Sequence, residues 1–171
     1  MGERYDVVVV GAGQAGLSIS HELTHAGVEH LVLERGRVAQ TWRDRWDSFC
    51  LVTPNWTVNL AGAAYDGGDP DRFLERDQLV ARFVEYAGSF NAPVREGVQV
   101  TELATGDEGG FVVGCAGGDI EAREVVIASG GYQKPFRPAA ARELPGWLHV
   151  IDVEDYSSPS ALPEGRVLVV G

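Results

Sequence analysis

The stretch Tyr5-Asp6-Val7-Val8-Val9-Val10-Gly11-Ala12-Gly13-Gln14-Ala15-Gly16 decides the fold. Val7 to Val10 is an unbroken apolar run, the pattern of a strand buried on both faces of a parallel sheet. Gly11, Gly13 and Gly16 then fit GxGxxG. The first glycine permits a tight turn from strand to helix. The second keeps the backbone bare where a pyrophosphate approaches, and the third lets helix and strand pack closely. The helix opening at Gln14 and Ala15 offers unpaired N–H groups and a partial positive charge to phosphates. Past Gly27, a helix-stopping residue, His30 to Leu33 reads as a second strand ending at Glu34. Glu34 lies 18 residues after Gly16. An acid there accepts hydrogen bonds from ribose hydroxyls and repels a 2′-phosphate. Strand, glycine turn, helix and acid together imply a dinucleotide site.

On the first helix the spacing of Gly16, Ile19, Leu23 and Ala26 predicts the buried face. Arg35 to Gly68 is irregular and holds three of the four tryptophans, Trp42, Trp46 and Trp56. Asp77 is expected to cap a helix running to about Phe90, with Leu79, Val80, Phe83, Val84, Ala87 and Phe90 inward. Gly97–Leu103, Phe111–Cys115 and Asp119–Arg123 read as a three-stranded β-meander joined by glycine turns. Val125–Ala128 and Arg166–Val170 read as further buried strands. The expected fold class is therefore α/β: a Rossmann-like domain with a parallel sheet, helices and an inserted three-stranded meander. A simple NAD domain would use a helical crossover where the meander stands, so the cofactor indicated is FAD. The run Arg166 to Gly171 echoes Tyr5 to Gly11, as if a second glycine-rich unit begins there.

Bulk properties narrow the function. The 171 residues suffice for one domain with a sizeable core. With 14 Lys and Arg against 25 Asp and Glu, the net charge is −11, which argues against nucleic acid or an anionic membrane as partner. Cys50 and Cys115 form no CxxC pair, so no dithiol, zinc knuckle or disulfide framework is expected; each is expected as an inert thiol in or near the core. The apolar run at Val7 is short and no basic region precedes it, so no leader is expected, nor any stretch that spans a bilayer. The expected location is cytoplasmic. Asn55-Trp56-Thr57 matches a glycosylation sequon but lacks a secretory context. His21-Glu22-Leu23-Thr24-His25 matches HExxH, a zinc-protease signature. Each histidine sits about 200° around the helix from Leu23 at about 3.6 residues per turn, so both are expected in solvent. No metal site is expected, and His30 and His149 have no visible partner.

Further segments resemble the N-terminal part of the flavin-containing monooxygenase superfamily, whose members bind FAD in a first domain and NADPH in a second. Gln40-Thr41-Trp42-Arg43-Asp44-Arg45-Trp46-Asp47 is similar to the family's segment along the flavin, with Ala39 and Gln40 in place of two glycines. Leu51-Val52-Thr53-Pro54-Asn55 is similar to the stretch that approaches the isoalloxazine ring. Val126-Ile127-Ala128-Ser129-Gly130-Gly131-Tyr132-Gln133-Lys134-Pro135 resembles its Ala-Thr-Gly motif, with Ser129 for threonine. The resemblance implies roles. Glu34, with its neighbour Arg35, would lie at the adenosine ribose, and Gln40, Trp42 and Arg43 along the flavin side. The Val100 backbone would meet adenine, and Ala128, Ser129 and Gly130 would pass near the pyrophosphate. Thr53 and Asn55 would be neighbours of the flavin ring. One departure stands out: Asp152 occupies the place of the family's fingerprint histidine, four residues before Tyr156, and Leu144 replaces a phenylalanine.

The resemblance implies residues 1–165 as the FAD-binding domain and 166–171 as the first strand of an NAD(P)H-binding domain. It implies an FAD-dependent enzyme that consumes NADPH or NADH and O2 and oxygenates a small-molecule substrate. Two alternatives stay open: a flavin reductase or dehydrogenase serving a small acceptor, and a fragment that binds FAD without turnover. No catalytic side chain is identifiable, as expected where the cofactor carries the chemistry.

Overall fold

The computed structural model describes residues 2–107, 109–131 and 135–170. Glu108 of the first meander turn, Tyr132-Gln133-Lys134 of the Ala-Ser-Gly segment and Gly171 of the echo lie outside the described residues. Strand β1 (Glu3–Val10) leads through the glycine turn into α1 (Gln14–His25) and back to β2 (His30–Glu34). A short helix α2 (Gln40–Arg43), a long loop and α3 (Arg76–Ser89) precede β3 (Val94–Glu96). Then follow β4 (Val100–Thr105), β5 (Phe111–Cys115) and β6 (Ile120–Ile127). All six strands form one sheet in the order β3-β2-β1-β6-β5-β4. Pairings are parallel from β3 to β6 and antiparallel across β6, β5 and β4. This is the expected Rossmann-like α/β fold with its meander.

Side-chain alternation splits the core in two. Val7, Val9 and Val32 face the helices, where they join Leu17 of α1 and Leu79, Phe83, Tyr86 and Ala87 of α3. Val8, Leu31 and Leu33 face the other way and cluster with Val113, Ile120 and Ala122 of the meander. The apolar run is thus buried on both faces because helices cover one and meander residues the other.

Several boundaries depart from expectation. The third meander strand and the Val125 strand are one element, β6, paired with β1 along its length and with β5 at Ile120–Ala122. The charges at Arg123 and Glu124 do not end it, because both side chains are exposed. The short β3 separates from β4 at the left-handed Gly97. Helix α3 starts one residue before Asp77: Glu75 caps it in a reciprocal capping box with Gln78, and Val84 faces solvent where Tyr86 turns inward.

On α1 the buried residues are Gly16, Leu17 and Ser20, while Ile19 and Ala26 are exposed. The polar Ser20 takes a core position because its hydroxyl lies 2.8 Å from Nε2 of buried His30. His30 Nδ1 lies 2.9 Å from the Val28 carbonyl oxygen, which fixes it as the N–H and leaves Nε2 to accept from the serine. His30 therefore has the partner the sequence did not reveal. With Ser20 inward, His21 swings to α3: its side chain is only 13% exposed. It packs at 5.7 Å from the Tyr86 ring and 5.2 Å from Phe90. The expectation that both histidines are solvated fails for His21 and holds for His25.

Residues 135–170 form an extended arm with three short 3-10 turns. The expected strand at Arg166–Val170 pairs with no described strand, and its apolar side chains are exposed. An apolar run becomes a sheet strand only where neighbours supply hydrogen bonds and cover. Among the described residues no helix is long and apolar enough to cross a membrane.

Candidate functional site

The carboxyl ends of β1, β2 and β6 converge at one place, the crevice where open α/β sheets bind ligands. Gly11 stands at its centre with φ +109°. Its N–H donates to the Leu33 carbonyl oxygen at 2.8 Å, and Ala128 N–H donates to the Val10 carbonyl oxygen at 2.8 Å. A Cβ on Gly11 would lie 2.5 Å from the Ala128 carbonyl oxygen, and one on Gly16 would lie 1.8 Å from that of Gly11. Both glycines are therefore demanded by the protein itself. Gly13 is different: outside its chain neighbours and its own helix, a Cβ there would meet no described heavy atom within 4 Å. Its bareness leaves open space over the first turn of α1, where Gln14, Ala15 and Gly16 carry amides without intrahelical acceptors. Among the described residues no side chain caps this helix, and no acid occupies its first turn. The donor set and the open space fit a pyrophosphate.

Glu34 ends β2 buried beneath the turn. Its Oε2 accepts Ala12 N–H at 2.9 Å and its Oε1 accepts Gly36 N–H at 2.9 Å. Two amide donors hold the carboxylate in place, and each oxygen keeps a second lone pair for a hydroxyl. Arg35 follows with its side chain exposed.

The next loop is tied back onto the turn. Ala39, left-handed at φ 62°, donates its N–H to the Ala12 carbonyl oxygen at 3.1 Å and starts α2. Gln40 Oε1 accepts Arg37 N–H at 3.0 Å and its Nε2 donates to Asp44 at 2.7 Å. Arg43 Nε donates to the Val38 carbonyl oxygen at 3.0 Å. Trp42 is half-buried, 5.7 Å from the Phe49 ring and packed on the helix-side core. Within this segment Ala39 makes the bond to the turn, whereas Gln40 bonds inside the segment, Trp42 packs on the helix-side core and Arg43 lines a groove with Asp77 and Val80 of α3.

Of the remaining positions, Ala128 and Ser129 continue β6 directly beside Gly11, and Gly130 follows, left-handed at φ 81°. Val100 opens β4, two residues past Val98, whose N–H donates to the Glu34 carbonyl oxygen at 2.9 Å. Thr53 is exposed on the long loop. Asn55 is buried and organises that loop: its Nδ2 donates to the Asp69 carbonyl oxygen at 3.0 Å and to Tyr65 Oη at 3.3 Å. Among the described residues its Oδ1 is buried without a partner. Thr53 and Asn55 are tied to one another's loop and share no hydrogen bond with the glycine turn among the described residues.

The thiols divide. Cys50 is exposed, against expectation, and forms an isolated backbone bridge with Glu75. Cys115 is half-buried opposite Val100, and burial pushes its thiol pKa up, away from the reactive thiolate. No group of three His, Cys, Asp or Glu among the described residues could hold a metal ion. Sequence reasoning missed Glu96, whose Oε1 accepts Val38 N–H at 2.8 Å; no local signal marked it. Asp152, in the fingerprint position, forms a two-pronged pair with Arg137 at 2.8 and 3.0 Å. The guanidinium holds its carboxyl below the usual carboxylate range.

Known proteins share the fold and the family. Residues 8–171 match the family described as pyridine nucleotide-disulphide oxidoreductase. The uncharacterized oxidoreductase CzcO-like of Geobacillus kaustophilus is 36% identical over 167 residues, covering 97% of this chain and 47% of that protein. Indole-3-pyruvate monooxygenase YUCCA1 of rice is 32% identical over 172 residues, covering 96% and 41%. A flavin monooxygenase variant from Stenotrophomonas maltophilia has a solved structure that superposes with TM-score 0.78 at 25% identity. It covers 93% of this chain and 48% of that one. The chain thus spans about half the length of the curated relatives it matches. The flavin-containing monooxygenase resemblance is borne out, and the chain belongs to the pyridine nucleotide-disulphide oxidoreductase family.

Proposed function

We propose that residues 1–165 are the FAD-binding portion of an NAD(P)H-dependent flavoprotein monooxygenase acting on a small organic substrate, and that residues 166–171 open its NAD(P)H-binding domain. The observation that carries the cofactor assignment is Gly13. Neither packing nor φ requires a glycine there, so its bareness is explained by a ligand that approaches the backbone. In this reading Gln14, Ala15 and Gly16 donate to the pyrophosphate and Glu34 accepts from the adenosine ribose, with Arg35 beside it. The Val100 backbone meets adenine, and Ala128, Ser129 and Gly130 line the far side of the pyrophosphate. Gln40, Trp42, Arg43, Thr53 and Asn55 lie toward the flavin. The bound flavin supplies electrons from NAD(P)H that activate O2. The chain binds and orients it and excludes water. A cytoplasmic location belongs to the same reading.

A second reading, a flavin reductase or dehydrogenase passing electrons to a small acceptor, is favoured by one observation. Asp152 replaces the fingerprint histidine and spends its carboxylate on Arg137. Purified protein should be yellow and release FAD, not FMN, on denaturation. With the full protein, NADPH oxidation and O2 uptake should yield an oxygenated product from a panel of amines, sulfides and ketones. Stoichiometric peroxide with no oxygenated product would overturn the monooxygenase reading. Colourless protein that binds no FAD would overturn both.

A further inference from the structure

The loop that joins β2 to α2 has four consecutive N–H groups, and each meets a different acceptor. Gly36 donates to Glu34 at 2.9 Å, Arg37 to Gln40 at 3.0 Å, Val38 to Glu96 at 2.8 Å and Ala39 to the Ala12 carbonyl oxygen at 3.1 Å. Glu34 and Gln40 flank the loop itself, and Ala12 belongs to the glycine turn. Glu96 does neither: it comes from β3, 58 residues away in sequence from Val38. Its position is set by the sheet, since Glu96 is the register partner of Glu34 across the parallel β2–β3 pair. Two carboxylates thus stand side by side at the same sheet end, and both clamp the one loop. The loop clamps the strand end in return, because Gly97 N–H donates to the Gly36 carbonyl oxygen at 2.9 Å and Val98 N–H to that of Glu34.

We infer that Glu96 is a positioning residue for the nucleotide half of the cofactor. It fixes Val38 and so the loop that runs from Glu34, at the end of β2, to Ala39, without touching the ligand. The inference rests on the FAD assignment above. A charge-assisted bond from carboxylate to amide is stronger than a neutral one, and a bond of this kind sets a loop's geometry before the ligand arrives. Removing it leaves the loop to be ordered by the nucleotide at the expense of affinity. The effect should be confined to ligands that carry the adenosine half.

The test is calorimetric titration of nucleotide-free protein with FAD, ADP and FMN. Glu96→Ala should weaken FAD and ADP alike, by about tenfold, the scale of one charge-assisted hydrogen bond, and change FMN binding less than about twofold. Glu96→Gln, whose amide oxygen still accepts from Val38, should restore most of the affinity. If Glu96→Ala fails to fold, Glu96→Asp carries the test: the carboxylate is withdrawn by one methylene and FAD and ADP should weaken with unchanged circular dichroism. Equal losses for FMN and FAD would show that Glu96 only supports the fold, and no loss for FAD or ADP would remove it from the site; either overturns the inference. Wild-type protein that binds neither FAD nor ADP would instead overturn the cofactor assignment, and this inference with it.

Discussion

Val7-Val8-Val9-Val10 and Val167-Leu168-Val169-Val170 are nearly the same sequence in opposite circumstances. Val8 and Val9 are fully buried, whereas Val167, Leu168, Val169 and Val170 are 65%, 86%, 87% and 81% exposed. The first run has β2 on one side and β6 on the other, with helices below and meander residues above. The second has no described neighbour. Hydrophobicity marks a candidate strand, but the ladder partners and the layers on either face make it one.

Three experiments would break or sharpen this contrast. Placing a charge in each run should separate them most. Val9→Asp buries a carboxylate beside Leu17 and Phe83 and should cost about 4 kcal/mol or more, read as loss of the urea transition. Val169→Asp should shift stability by less than about 0.5 kcal/mol. Comparable losses would mean that the second run is covered in solution.

The next experiment separates what the first run's turn owes to the fold from what it owes to a ligand. Gly16→Ala forces a methyl against the Gly11 carbonyl oxygen and should destabilise by about 3 kcal/mol. At Gly13 an added Cβ would meet no described heavy atom within 4 Å, so Gly13→Val should leave the melting temperature of the nucleotide-free protein nearly unchanged while abolishing flavin content. Retained flavin in Gly13→Val would refute the placement of the pyrophosphate.

The smallest effect belongs to the arm. Arg137 lowers the Asp152 carboxyl pKa, so the pair's contribution is present above the ordinary carboxylate value of about 4. It fades as pH falls through the lowered folded value. A carboxyl carbon NMR titration should place Asp152 below a reference aspartate, and Arg137→Gln should return it to the ordinary range. A pair this exposed is screened by salt and adds little to stability.

Much of this was legible in the sequence, because backbone demands leave few residue choices. Gly11 needs positive φ and Gly16 needs the absence of a Cβ, so the turn announces itself. The same holds for β2 and its terminal Glu34, whose distance from the turn is fixed by one helix and one strand. Legibility failed where a tertiary partner overrode local pattern. Ser20 reads as a surface residue until His30 is seen beneath it, and His21 reads as solvated until Tyr86 and Phe90 cover it. Glu96 carries no local mark, since its role comes from sheet register. The break expected at Arg123-Glu124 was a charge signal that exposed strand positions do not obey.

Ala39 has a consequence for binding thermodynamics. A non-glycine residue at φ 62° costs about 1 kcal/mol or more, and here it is held with its methyl buried in the core and its N–H on Ala12. An alanine also has fewer unfolded conformations to lose than a glycine. The ordering of this bend is therefore settled during folding and not when a nucleotide arrives. Association at this end should show a small heat-capacity change from loop ordering, and an enthalpy that reports phosphate and ribose contacts almost alone.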